Sequence, residues 1–188
     1  ALSRMLEETG GRIGAYYYLL PTYAQAKKIV WDGIDGNGFR VLHHFPPALV
    51  RQYNESELQV TLHNGSIFQL IGSDKIDSIV GTNPLGCIFS EYALQNPRAY
   101  DLLSPILLEN GGWAVFNFTP RGRNHAYKLY MGAKTNPNWY CSLFTVADTK
   151  KDDGSPVMTP AAVEEERQRH IAQGKSEAGA NSFIQQEN

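Results

Sequence analysis

The stretch Gly86-Cys87-Ile88-Phe89-Ser90-Glu91-Tyr92-Ala93-Leu94 decides how the rest of the chain is read. Its first four residues form an apolar run, a hydroxyl and a carboxylate close it, and the sequence then turns at once into a new segment. A short continuous apolar run suits a strand covered on both faces, as in parallel sheets. Open α/β sheets present their functional groups just beyond the carboxyl ends of such strands. Glu91 stands at that position. The plainer alternative makes it the first solvated residue after a core strand, and this short motif does not by itself separate the two.

A second motif has the same design. Trp113-Ala-Val-Phe-Asn-Phe-Thr119 is an apolar run that ends in the turn Thr119-Pro120-Arg121-Gly122, and a helical pattern follows from Ala126 to Lys134. Between the two runs, Asn96 to Asn110 places Tyr100, Leu103, Ile106 and Leu107 at three-to-four spacing, which predicts an amphipathic helix. Strand, helix, strand in that order implies a crossover between parallel strands, with both tips on one edge of the sheet. Glu91 and Thr119 are therefore expected at neighbouring strand ends.

Elsewhere the residues give mostly structural signals. Ala15 to Leu20 reads as a strand, and Glu57 to Leu62 with Ser66 to Ile71 reads as a β-hairpin turning at His63-Asn64-Gly65. The charged segment Thr159 to Gln173 reads as a helix with Thr159 as N-cap and Pro160 in its first turn. Cys87 and Cys141 each fall in a segment read as an apolar strand and are expected as reduced core thiols. His43, His44, His63, His125 and His170 are too scattered for a metal site.

Composition bounds the possibilities. The 188 residues are 42% hydrophobic, enough for one domain with a substantial core. No apolar run approaches the roughly 18–20 residues that span a bilayer. The net charge of −2 supplies no overall basic field, so contact with a polyanion would rest on local patches.

Six motifs occur in order: Leu20-Pro21-Thr22-Tyr23-Ala-Gln25-Ala-Lys27 with Trp31; Leu62-His-Asn64-Gly65-Ser66; Ile71-Gly72-Ser73-Asp74; Ser78-Ile-Val-Gly81; Phe89-Ser90-Glu91-Tyr92; and Thr119-Pro120-Arg121-Gly122 with Asn124-His125. Together they resemble the large terminase subunit of tailed bacteriophages, the motor ATPase that packs DNA into capsids. The resemblance runs from about Tyr16 to Tyr130. It implies an α/β fold of the P-loop NTPase type, three-layered and mainly parallel with an antiparallel hairpin. In the site it implies, Glu91 polarises the attacking water, Ser90 lies beside the Mg²⁺ shell, and Thr119-Pro120-Arg121-Gly122 couple loss of the γ-phosphate to the grip on DNA. Lys75 and Arg123 are candidates for DNA or subunit contact.

The implied cofactors are ATP and Mg²⁺. The implied partners are double-stranded DNA, the small terminase subunit, the portal protein and further copies in a homo-oligomeric ring, with no membrane involved and the bacterial host cytoplasm as location. Two departures stand out: many relatives have aspartate where this chain has Ser90, and often arginine where it has Val80, which leaves an arginine finger unassigned.

A terminase ATPase carries a Gly-rich phosphate loop ending in Gly-Lys-Ser/Thr ahead of its first amphipathic helix. Gly10-Gly11-Arg12-Ile13-Gly14 is the nearest glycine cluster there, and it reads as a turn into a strand. The expectation is that the chain starts mid-domain, with Ala1 to Glu8 as the end of a helix. Residues 1–158 are then an incomplete ATPase domain, and 159–188 a helical linker in which Phe183 to Glu187 leads toward an absent nuclease domain. Alone it is expected to bind no nucleotide tightly. A helicase-like DNA-remodelling ATPase and a non-catalytic prophage remnant are the alternatives.

Overall fold

The computed structural model describes residues 12–145 and 148–177. The helix expected over Ala1 to Glu8, the Gly10-Gly11 pair and the segment Phe183 to Glu187 lie outside these residues. The chain divides into two compact units, with the boundary between Phe118 and Thr119.

The first unit is built on a six-stranded mixed sheet in the order β2-β3-β4-β1-β5-β6. Its strands are β1 (Ala15–Leu20), β2 (Val50–Asn54), β3 (Gln59–Leu62), β4 (Ile67–Gly72), β5 (Pro84–Ser90) and β6 (Trp113–Asn117). The pairs β1/β4, β1/β5 and β5/β6 are parallel, whereas β2/β3 and β3/β4 are antiparallel. The expected hairpin is β3-β4, and its second arm is also the parallel neighbour of β1. β2, which shows no clean alternation in the sequence, adds an edge strand that is largely exposed.

The register sorts the side chains onto two faces. Leu19, Phe89 and Phe116 are aligned across β1, β5 and β6, so they share a face. Helix α2 (Arg98–Glu109) lies against β5 and β6 and buries Ala99, Leu103 and Leu107. Phe89 and Phe116 stack with centroids 4.7 Å apart, and Tyr100 of α2 meets the Phe116 ring edge-on at 4.9 Å. Such aromatic pairs contribute about 0.5–1.5 kcal/mol each beyond their burial. The other face carries Tyr16, Leu20, Phe68 and Leu70, packed in one core with Ala26, Val30 and Trp31.

Those last three residues belong to the segment that leaves β1. Its first turn is α1 (Tyr23–Gln25), continuing as a π-helical stretch, Ala26–Trp31. Thr22 caps the start by accepting from the Gln25 N–H at 3.2 Å, and the Asp74 carboxylate accepts from the Tyr23 N–H at 3.0 Å. The helix start is thus fastened to the end of β4. Gly72 makes this approach possible, because a Cβ there would lie 2.1 Å from the Tyr23 nitrogen.

One boundary differs from the sequence reading. The strand expected from Glu57 begins only at Gln59, because Leu58 sits in the left-handed region at φ 48° and ends the β2–β3 turn. Leu58 is fully buried, and that burial offsets a backbone cost of about 1–2 kcal/mol.

In the second unit, α3 (His125–Ala133) starts at Asn124, whose side chain accepts from the Ala126 and Tyr127 N–H groups. Helix α4 (Pro160–Ala172) starts at Thr159, which accepts from the Ala162 N–H, as the sequence predicts. Cys141 is not in a strand, contrary to expectation. Residues 140–145 are irregular, and Tyr140, Leu143 and Phe144 are exposed rather than alternating across a sheet. An apolar run makes a strand only where a neighbour satisfies its backbone.

Gly72→Ala is expected to lower the unfolding free energy by about 1–3 kcal/mol, the usual cost of overpacking. Urea titration checks this, and an unchanged midpoint would contradict the close contact between β4 and the start of α1.

Candidate active site

Parallel pairing brings the tips of β5 and β6 together. Ser90, the last residue of β5, is the register partner of Asn117, the last residue of β6. Glu91 follows Ser90 directly, and Thr119 comes two residues after Asn117. The strand-helix-strand reading of the sequence is therefore correct for these elements. The turn Thr119-Pro120-Arg121-Gly122 opens the second unit; Thr119 is half-buried, Pro120 to Arg123 are exposed, and Gly122 takes φ 69°.

Glu91 is half-buried, and its backbone is left-handed at φ 57° and ψ 42°. Only Leu58 and Glu91 among the described non-glycine residues have positive φ. The bend reverses the chain at the end of β5 and starts the 3₁₀ turn Tyr92–Leu94, in which the Leu94 N–H donates to the Glu91 carbonyl at 2.8 Å. A glutamate has no local preference for this conformation. The surrounding structure imposes it.

That surrounding is aromatic on one side and polar on the other. Tyr92 is buried, its ring 4.8 Å from Phe116 and 5.8 Å from Phe89. Burial, aided by Asp101 and Tyr100, pushes the Tyr92 hydroxyl up to about 12, so it stays neutral. On the opposite face of the sheet, the Tyr18 hydroxyl donates to Ser90 Oγ at 3.2 Å. Burial raises the Cys87 thiol far above its ordinary range, which makes it an inert core group, as expected from sequence.

The remaining candidates lie apart from these tips. Lys75 is exposed within the 3₁₀ segment Ser73–Ile79, its ammonium 5.2 Å from the centre of the Tyr23 ring. Val80 is 62% exposed and precedes Gly81 at φ 85°. Arg98, at the start of α2, pairs with Asp77 at 3.5 Å.

The sequence also holds a Gly-Lys-Ser tripeptide, Gly174-Lys175-Ser176. The structure gives it a different role from a phosphate loop. The Gly174 N–H donates to Ile171 O and the Lys175 N–H to His170 O, a Schellman closure with Gly174 at φ 88°. It ends α4, where the helix presents carbonyls and negative partial charge rather than the N–H groups that hold phosphate.

No group of three or more His, Cys, Asp or Glu is placed to hold a metal among the described residues. At the tip of β5 the donors are one hydroxyl and one carboxylate. That set suits a Mg²⁺ that arrives on nucleotide phosphates and keeps most of its waters, and does not suit a protein-held ion.

No family model matches the sequence. Over 105 residues, 53% of this chain, it is 32% identical to the terminase large subunit of Escherichia phage T5. The chain spans 24% of that relative's length. Among solved structures, its fold is similar to the large terminase ATPase domain of Thermus phage P74-26, in a point mutant, with a TM-score of 0.56, 19% identity, and 92% of this chain and 74% of that chain covered. It is also similar to the large terminase of a thermophilic bacteriophage in complex with ADP, with a TM-score of 0.62, 17% identity, and 87% and 39% covered. The fold is thus similar to that of large-terminase ATPase domains, as the resemblance implies. The resemblance read from the sequence is borne out: the chain is similar in sequence to a phage terminase large subunit and in fold to large-terminase ATPase domains.

The left-handed backbone yields a stability test. At an ordinary extended site valine is favoured over glycine, whereas at φ 57° the order reverses. Glu91→Gly is expected to be more stable than Glu91→Val by about 1–2 kcal/mol in chemical denaturation. The opposite order would contradict the assigned conformation.

Proposed function

We propose that this chain is part of the ATPase of a viral DNA-packaging motor, with Glu91 as the base that acts on the attacking water. One observation carries the reading. Ser90 and Asn117 close adjacent parallel strands, and the next residue is a glutamate held in a conformation it does not favour. Strained backbone of this kind clusters at functional sites, where a side chain must be aimed at a cost to stability.

In this reading the Glu91 carboxylate accepts a proton from water lined up on the γ-phosphate. Mg²⁺ on the nucleotide supplies charge neutralisation of the β- and γ-phosphates. Ser90 Oγ, already held by the Tyr18 hydroxyl, would steady a water of that ion. Its lack of charge makes the contribution weaker than an aspartate's. Thr119, Pro120, Arg121 and Gly122 sense loss of the phosphate and pass it to the DNA grip, while Lys75 and Arg123 meet DNA or a neighbouring subunit. Double-stranded DNA, the small terminase subunit, the portal protein and a ring of copies are the partners that complete this machine in the host cytoplasm. The sequence similarity to a terminase large subunit favours the packaging motor over a remodelling ATPase.

Residues 1–158 would be the ATPase part and 159–188 a linker. Within the 188 residues, Gly174-Lys175-Ser176 closes a helix, and no other Gly-Lys-Ser/Thr is present. Most of the triphosphate's binding energy in such motors comes from the phosphate loop, and the strand-tip glutamate acts only on a water already in place.

The 188 residues alone are therefore expected to hydrolyse ATP no faster than background. The same chain extended upstream through a Gly-Lys-Ser/Thr loop is expected to turn over ATP and to lose about 10²-fold or more on Glu91→Gln. A coupled phosphate-release assay reads both. Clear Mg²⁺-dependent activity of the 188 residues contradicts the first expectation, and unchanged turnover of Glu91→Gln removes Glu91 from the mechanism.

A further inference from the structure

Gln95 is 3% exposed, and its side chain turns back from the end of the 3₁₀ turn toward the strand tips. Its Nε2 donates to the Ser90 carbonyl at 2.7 Å and to the Leu19 carbonyl at 2.9 Å. Both amide protons are used, and both acceptors are carbonyls. The orientation of the amide group is therefore fixed by its partners, and Oε1 is left buried without a hydrogen bond among the described residues.

The two carbonyls sit where the sheet runs out. Leu19 and Phe89 form the last register pair between β1 and β5, and after Ser90 the chain bends away. Beyond that pair β5 offers β1 no further rung. A buried carbonyl left unmatched costs about 1–3 kcal/mol, and the Gln95 amide takes the place of the missing backbone donors. The Ser90 carbonyl also belongs to the same peptide plane as the Glu91 nitrogen. Pinning that carbonyl sets one side of the Glu91 φ torsion, and the Leu94 N–H to Glu91 carbonyl bond sets the other side of the residue.

We propose that Gln95 is the positioning residue of Glu91: its two-pronged amide closes the β1/β5 ladder and holds the Glu91 backbone left-handed, so that the carboxylate is presented in one direction. Gln95 touches no reacting atom and acts through Glu91 alone. The proposal deepens the ATPase reading and rests on it for its catalytic consequence, but the backbone claim stands independently.

The test uses Gln95→Met, which keeps length and apolar volume and removes both donors. A crystal structure of the 188-residue variant is expected to show Glu91 outside the left-handed region, and φ retained near its present value overturns the proposal. If Gln95→Met fails to fold, the double variant Gln95→Met with Glu91→Gly decides. Glycine adopts positive φ without being held, so the double variant is expected to fold, and its failure would assign Gln95 a general structural role instead. In the ATPase-competent protein, Gln95→Met is expected to lower kcat by about 10-fold or more with the KM for ATP within about 3-fold, and to add nothing on a Glu91→Gln background. A further full loss on that background overturns the proposal. Unchanged turnover of Glu91→Gln, with Glu91 displaced in the Gln95→Met structure, would remove Glu91 from the proposed mechanism and leave the positioning role standing.

Discussion

The constraint on which the tip of this sheet depends is the left-handed turn of a glutamate at the end of β5. Holding an L-residue there costs about 1–2 kcal/mol. The neighbours that oppose this cost come from every nearby element. Tyr92, directly after the bend, is seated on Phe116 and Phe89, and these rings are themselves clamped by Tyr100 from α2. Gln95 fastens the peptide before the bend to β1. A net hydrogen bond contributes about 1 kcal/mol and an aromatic pair about as much, so several such contacts together exceed the strain. The geometry at the end of β5 is thereby built from core packing on one face of the sheet.

The second face sets what the site offers chemically. Aligned residues place Tyr18 and Ser90 on the same side, and their hydroxyls meet. A serine there contributes a hydrogen bond and no charge. Among the described residues the carboxylate at the end of β5 is then Glu91, which concentrates the proposed proton-accepting role in a single residue.

Much of this architecture was legible in the sequence because it follows from local pattern. The continuous apolar runs of β1, β5 and β6, the three-to-four spacing in α2 and the capping residues Asn124 and Thr159 each carry their own signal. What was not legible depends on partners distant in sequence. β2 is an edge strand without alternation and exists because β3 pairs with it. Leu58 and Glu91 take positive φ against their own preference, which no local rule predicts. Gln95 lies 76 residues from the Leu19 carbonyl it satisfies, so a polar residue in an unremarkable turn concealed a buried amide whose two donors are both used. The tripeptide at Gly174 shows the reverse case, a functional-looking string whose meaning is set by the helix end it occupies.

The central claim is that the bend at the end of β5 aims the Glu91 carboxylate at the γ-phosphate of a bound nucleotide. The most direct measurement is a structure of the ATPase-competent protein with a non-hydrolysable ATP analogue and Mg²⁺. The account predicts Glu91 still left-handed, with its carboxylate within hydrogen-bond distance, about 2.6–3.2 Å, of a water positioned for in-line attack. A Glu91 carboxylate directed away from the nucleotide, with another residue holding that water, would contradict it.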